Sequence, residues 1–283
     1  MCGIAGLFAK SPEIEAHLGA HLAGMIEPLG DRGPDSAGVA IYRAPVAEGE
    51  IKLSLHGPGW RDVAGSRVLA DHGDQGIVAA PEGREVPTGV TLLSAGTAIE
   101  TTKREGPPQR LIEDAGLLGL DGTHAVAHTR MATESLVTTL GSHPFSTGPD
   151  LCLVHNGSLS NHNQLRRRLR GHGVTFQSEN DSEVAAGYLT WRFAEGDTLD
   201  EAVHHALEDL DGFFTFCIGT RDGFAVVRDP FACKPAVLAE TEDWVAMASE
   251  HRAIATLPGA EDAELWEPEP GRVYTWSHAG VPA

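Results

Sequence analysis

A cysteine stands at position two, in MCGIAGLF, and removal of Met1 would place a thiol and a free α-amino group on one residue. The small Cys2 side chain permits that trimming. A free cysteine is mostly protonated at neutral pH and usually relies on a neighbouring base to become nucleophilic. An α-amine, with an ordinary pKa of roughly 7.7–8.0, can be that base because part of it is neutral at physiological pH. A mature chain beginning at Cys2 would therefore carry nucleophile and base on the same residue. For an isolated Met-Cys start, a small apolar residue opening a buried strand is the competing reading, so the rest of the chain decides.

The remaining chemistry-bearing residue types point elsewhere than to metals or nucleotides. Cys152, Cys217 and Cys233 form no CxxC pair with each other or with Cys2, so neither a disulfide framework nor a zinc knuckle is expected. Cys152 in LCLVH and Cys217 in FFTFCIG sit in apolar, strand-like runs and read as packed thiols, whereas Cys233 in DPFACKP lies in a loop-like segment. There are 14 histidines but no HExxH. His124 and His128 flank AVA in a segment that reads as extended and would not converge on one ion. GPGWRDVAG is the nearest approach to a phosphate loop, but its glycine spacing fails GxGxxG, and no GxxxxGK[ST] occurs. No metal site is expected.

With 40 acidic against 21 basic residues and a net charge of −19, neither nucleic acid nor an anionic membrane suits as a partner. No apolar run reaches the length of a membrane span, and the N-terminus lacks the basic and apolar regions of a signal peptide. The expected location is the cytoplasm.

The elements that must position Cys2 are mostly strands. GVAIY, IKLSLH, HAVAHT, LCLVH, FFTFCIG, FAVVRD, WVAMAS and RVYTW are β-branched and aromatic runs separated by turn residues, which favours antiparallel sheets over repeated βαβ units. Ser11-Pro12 reads as a helix start, with Ile14, Leu18, Leu22, Met25 and Ile26 at helical spacing before Pro28. Helices are expected over NHNQLRRRLRGHG, from Asp181 to about Glu195, and from Leu199 to Leu210 behind a Thr198/Glu201 capping box. The arginine cluster of the first reads as a solvated face. The stretch at about 56–121 is rich in glycine, proline and charge, and reads as an insertion of loops and short strands.

Five ordered segments carry a resemblance. CGIAGLF at the start, DRGPDSAGVA around position 35, HTRMAT at 128–133, HNGSLSNHNQL from 155 and ENDSE from 179 resemble a class II glutamine amidotransferase domain. The likeness continues through RDPFACKP and ASEHRAI and so covers most of the chain. It implies an α+β fold, a four-layer αββα sandwich of two antiparallel sheets of the N-terminal nucleophile hydrolase type, with 2–283 as a single domain. It also implies glutamine as substrate. Cys2 would attack the side-chain amide, passing through a γ-glutamyl thioester, with its α-amine moving the proton. Asn156 would stabilise the oxyanion through its side-chain amide and Gly157 through its backbone N–H. Gly157 equally suits a tight turn.

Arg130 matches the residue that clamps the substrate α-carboxylate, a task its planar fork fits. Thr133 would add a hydroxyl contact, and Asp181 would receive the α-ammonium group. An aspartate before SEVAAGYL is also an ordinary helix N-cap. His143 in SHPF is a lesser pocket candidate, and Asp35 with its neighbouring glycines would shape the wall around the N-terminus. Asp31, where the family commonly has histidine, and Met131, where it often has an aromatic residue, are departures bearing on pocket shape and partner coupling.

The chain ends at Ala283, so the expectation is a subunit that delivers ammonia to a synthase subunit on another polypeptide, in a hetero-oligomer. It resembles the amidotransferase subunits of glutamate synthase-like and N-methylglutamate synthase-like systems. Flavin and iron–sulfur centres there belong to a partner, and no cofactor is expected in this chain. A hydrolase of other γ-glutamyl amides and a catalytically silent glutamine-sensing subunit are the alternatives. The intact Cys2, Arg130, Asn156, Gly157 and Asp181 weigh against silence.

Overall fold

The computed structural model describes residues 2–132 and 137–278. Side chains along β1 (Gly3–Ala9) alternate between two apolar environments, and that alternation sets the layering. Ala5, Leu7 and Ala9 pack with Leu18, Leu22, Met25 and Ile26. Ile4 and Phe8 instead pack with Val154, Phe224, Val226 and Met247. One face of β1 thus meets helices and the other meets a second sheet. Between them, Gly6 permits close approach: a Cβ there would lie 2.5 Å from the Phe224 ring and 2.7 Å from Cys217 Sγ.

The first sheet runs in the order β14 (Glu264–Trp266), β12 (Val237–Glu240), β13 (Trp244–Ala248), β1, β8 (His124–Arg130), β2 (Ser36–Tyr42) and β7 (Ile99–Glu105). The second runs β15 (Val273–Ser277), β11 (Gly223–Arg228), β10 (Gly212–Gly219) and β9 (Cys152–Leu159), which leaves β9 as an edge. All pairings within both are antiparallel.

On the outer face of the first sheet lie α1 (Pro12–Ala16), α2 (Leu18–Ile26), α3 (Pro108–Asp114) and α7 (His251–Ile254). On the outer face of the second lie α4 (His162–Gly171), α5 (Asp181–Ala194) and α6 (Leu199–Asp209). The expected αββα sandwich is therefore present. The expected single helix after Pro12 is broken at His17 (φ −124°, ψ 18°). Directly after it, Gly19 presses against the chain at Leu117, where a Cβ would come within 2.0 Å of a carbonyl oxygen.

A third antiparallel sheet, ordered β4 (Arg67–Asp71), β5 (Gln75–Pro81), β3 (Glu50–His56) and β6 (Thr91–Gly96), has its own small core of Leu53, Leu55, Trp60, Val63, Val78 and Ala80. The stretch read as an insertion at about 56–121 thus contributes three of these strands, while β7 and α3 within it belong to the main body. The third sheet is tied to β7 by a buried Lys52–Glu100 ion pair of 2.7 Å and by Thr101 N–H donating to Ser54 Oγ at 2.9 Å.

Candidate active site

Strand parity brings the candidates together. Cys2 extends β1 on the phase of Ile4 and Phe8, Arg130 ends β8 on the phase of Val126, and Asn156 follows Cys152 and Val154 on β9. All three therefore face the space between the two main sheets. At this end of the sandwich the space opens into a cavity of about 1130 Å³, lined by Cys2, Arg130, His143, Asn156, Gly157 and Asp181 among others. Thr133 lies outside the described residues.

Cys2 is half-buried, and its Sγ receives the Met131 N–H at 3.4 Å. The Cys2 carbonyl accepts from Arg32 Nε at 3.0 Å and from Asn156 Nδ2 at 3.2 Å. Arg32 is itself fixed by Glu250, Nη1 to Oε1 at 2.5 Å, and this contact holds the Glu250 carboxyl below the usual carboxylate range. Asp35 secures the wall opposite: its N–H donates to Arg130 O at 3.0 Å, and its Oδ2 accepts from Ala132 N–H at 2.7 Å.

The two oxyanion candidates are presented differently. Asn156 is buried, with Nδ2 also 3.2 Å from Ser249 Oγ and Oδ1 3.2 Å from His128 Nε2. Gly157 sits opposite Phe214 on β10. Phe214 donates its N–H to Asp229 Oδ2 at 2.8 Å and accepts from Asp229 N–H at 3.0 Å, so both its backbone groups face away from β9. The Gly157–Phe214 pair is thus a non-hydrogen-bonded pair of the ladder, and on an edge strand the N–H of Gly157 points off the sheet, on the side of the cavity. Glycine is required there: φ is +151°, and a Cβ would stand 2.0 Å from Phe213 O.

Asp181 opens α5 but does not cap it. The cap is Asn180, whose side chain accepts from Ser182 N–H at 2.9 Å, so the expectation of Asp181 as an N-cap is corrected by one residue. Asp181 Oδ2 accepts from Leu159 N–H at 2.9 Å, joining the helix start to the end of β9. The arginine cluster of α4 also differs from a uniform solvated face. Arg166 turns inward and is buried, donating to Ser178 O and, at 3.1 Å, to Asn180 O, which fixes the 178–180 turn lining the cavity.

Behind Asn156 stands a group of buried histidines. His128 stacks on His143 with centroids 4.0 Å apart and planes at 25°. Ser182 Oγ lies 2.9 Å from His143 Nε2 and 2.8 Å from His155 Nδ1. Burial pushes His128 down to about 3 and His143 well below the ordinary histidine value, so both are neutral. His143 therefore lines the cavity while its Nε2 faces Ser182. Arg32, Ser249, His155 and Ser182 carry no reading in the sequence, and His128 enters it only as a rejected metal ligand. All lie within the segments DRGP, HTR, HNG, DSE and ASE, but the signal in each was assigned to a neighbouring residue. Among the described residues no group of three or more His, Cys, Asp or Glu side chains is placed to hold a metal ion, and no helix is long and apolar enough to cross a membrane.

A family described as a glutamine amidotransferase domain matches residues 128–256. The glutamine amidotransferase-like protein GlxB of Rhizobium meliloti (strain 1021) is 48% identical over 98% of this chain and 99% of its own length. A glutamine–fructose-6-phosphate aminotransferase of Escherichia coli (strain K12) is 36% identical over 44% of this chain and 20% of its own length. Among solved structures, the glutamine phosphoribosylpyrophosphate amidotransferase from B. subtilis superposes with a TM-score of 0.61 at 22% identity. That match covers 98% of this chain and 47% of the solved one, so the chain spans about half its length.

Proposed function

Because the chain belongs to the class II glutamine amidotransferases, enzymes acting on the carboxamide of glutamine, we propose that Cys2, exposed by removal of Met1, is the nucleophile and that the ammonia passes to a separate synthase subunit. One observation carries the reading: the Asn156 amide nitrogen reaches the backbone of Cys2 itself, at 3.2 Å, inside a cavity that Gly157, Arg130 and Asp181 also line. The residues read as nucleophile, oxyanion donors and charged partners for both ends of an amino acid line one space, which supports the reading.

In this reading the Cys2 α-amine takes the thiol proton as Sγ attacks the amide carbon, and the carbonyl electron pair moves onto oxygen. Asn156 Nδ2–H and Gly157 N–H receive that oxyanion. Its collapse breaks the C–N bond, the Cys2 ammonium protonates the leaving nitrogen, and ammonia departs. Water, deprotonated by the same amine, then attacks the γ-glutamyl thioester and releases glutamate and the thiol. Arg130 holds the α-carboxylate, Asp181 the α-ammonium, Thr133 supplies a hydroxyl contact, and His143 forms part of the wall.

The acceptor is assigned to a glutamate synthase-like or N-methylglutamate synthase-like partner in a cytoplasmic hetero-oligomer. Support comes from the likeness of DRGPDSAGVA and the glycine-rich insertion to amidotransferase subunits of such systems. Any flavin or iron–sulfur centre of the acceptor reaction is assigned to that partner. The test compares ammonia release from glutamine by the mature chain and by a version whose N-terminus is blocked by an uncleaved tag. Activity is expected only in the former, and equal activity in both would refute the α-amine role. Faster release from larger γ-glutamyl amides than from glutamine would favour a stand-alone hydrolase instead.

A further inference from the structure

The geometry behind the nucleophile points to a further participant: we propose that His128 is a positioning residue, whose Nε2–H holds Asn156 Oδ1 and so keeps the Asn156 amino group turned toward Cys2 and the oxyanion. This rests on the reading of Asn156 as an oxyanion donor and extends it by one residue.

The argument proceeds from groups whose hydrogen-bonding capacity is unambiguous. The backbone carbonyl of Cys2 can only accept, so the Asn156 atom 3.2 Å from it must be the nitrogen. The same nitrogen reaches Ser249 Oγ at 3.2 Å, a hydroxyl oxygen that also accepts the Ile4 N–H at 2.9 Å. Oδ1 therefore faces His128, and an amide oxygen needs a donor there, which assigns the ring proton to Nε2. Burial keeps His128 neutral, so a ring with its proton on Nε2 has a bare lone pair on Nδ1. Nδ1 has no hydrogen-bond partner among the described residues. A buried acceptor left empty is tolerated better than a buried N–H left empty, so the second ring nitrogen agrees with the first.

The ring also has no freedom to leave. His128 lies on the inner face of β8, stacked on His143, which is held through Ser182 to His155 and so to the helix layer. Turning the Asn156 amide over would set Oδ1 against the Cys2 carbonyl, acceptor against acceptor. With a donor at position 128 that state is disfavoured twice. With an apolar side chain there, only the Cys2 and Ser249 contacts hold the amide, and the geometry at the oxyanion loosens.

The test measures kcat and KM for glutamine in His128→Leu, His128→Gln, Asn156→Ala and the His128→Leu/Asn156→Ala double variant. Alongside these, nitrogen-resolved NMR of the histidine rings is recorded on the unaltered protein from pH 5 to 9, values chosen to bracket the ordinary histidine pKa of roughly 6.5. His128→Leu is expected to lower kcat by about 10²-fold, as loss of an oxyanion donor does, with KM unchanged. His128→Gln, which can return an N–H to the same place, should restore most of it. In the Asn156→Ala background His128→Leu should cost nothing more, because both act through one group. The NMR signal of His128 should report a neutral ring protonated on Nε2 throughout.

Equal losses in the Leu and Gln variants, a loss confined to KM, additivity in the double variant, or a ring protonated on Nδ1 would each overturn the proposal. The NMR result stands even where His128→Leu does not fold. A fully active Asn156→Ala enzyme would overturn the oxyanion reading and this inference with it, whereas an impaired Asn156→Ala beside a fully active His128→Leu would overturn this inference alone.

Discussion

Neutral histidines inside the sandwich make acid stability a quantitative test of the fold. His124 and His128 are completely buried, and burial pushes each from 6.5 down to about 3. His143 is likewise lowered well below 6.5. Unfolded, all three would bind a proton as pH falls through 6.5; folded, they do not. The unfolded state then holds more protons, so stability must fall as pH drops below 6.5, and the loss ends only near the folded value. Each such histidine contributes a slope of about 1.4 kcal/mol per pH unit. Between pH 7.5 and 5.5 that amounts to about 1.4 kcal/mol each and about 4 kcal/mol for three, against a total stability of roughly 5–15 kcal/mol. Glu250, held low by Arg32, titrates below this window, while two further groups add to the loss with the same sign: His155, pushed down to about 4 by burial, and Lys103, pushed down to about 7 by burial. Urea unfolding at several pH values and fixed ionic strength, so that screening of the −19 charge stays constant, gives the slope. His124→Asn should lower that slope by one proton. His124 is the suitable position because it sits away from the cavity, bonded to Thr220 O at 2.8 Å and stacked 4.1 Å from the Tyr42 ring. A stability independent of pH from 7.5 to 5.5, or a slope unchanged in His124→Asn, would refute the burial argument.

Two further outcomes are expected. Gly157→Ala should cost about 1–3 kcal/mol in urea unfolding because φ there is +151°, and should reduce turnover more than Gly6→Ala does; retained activity and stability would show that the β9 edge relaxes freely. Alkylation of the native protein followed by peptide mass spectrometry should modify Cys2 and Cys233 but spare Cys152, pushed up to about 12 by burial, and Cys217, also raised; a label on Cys152 before unfolding would contradict the packing between the sheets.

How much of this was legible in the residues follows from how local each signal is. All eight runs read as strands are strands, because alternation of branched and aromatic side chains needs only a few neighbours to register. The α6 capping box is likewise a four-residue signal, and both of its hydrogen bonds are present. The strands β4 and β7 carry Arg67, Asp71, Lys103 and Arg104, charged residues that mask alternation, whereas β5 and β6 carry no charge and are masked instead by the glycine- and proline-rich turns around them. In β7 those charges are satisfied only after folding: Arg104 Nε finds Asp114 at 2.8 Å, and Lys103 lies 4.9 Å from the centre of the Phe145 ring. No local window contains Asp114 or Phe145 as their partner.

The candidate site divides in the same way, and the division explains which residues the sequence singles out. Cys2, Arg130, Asn156, Gly157 and Asp181 are residues whose types declare a role toward a substrate. His128, Ser182 and Ser249 act toward other residues, and that kind of role exists only once β8, β9 and the start of α5 meet. The partnership of His128 with Asn156 spans 28 positions, that of Asn156 with Ser249 spans 93, and that of Asn156 with Cys2 spans 154. Each contact depends on a parity fixed strand by strand, so shifting β9 by one residue would turn Asn156 to the helix layer and bring His155 between the sheets. The apolar alternation of Cys152, Leu153 and Val154, by holding that register, does for Asn156 what no polar contact near it could do alone.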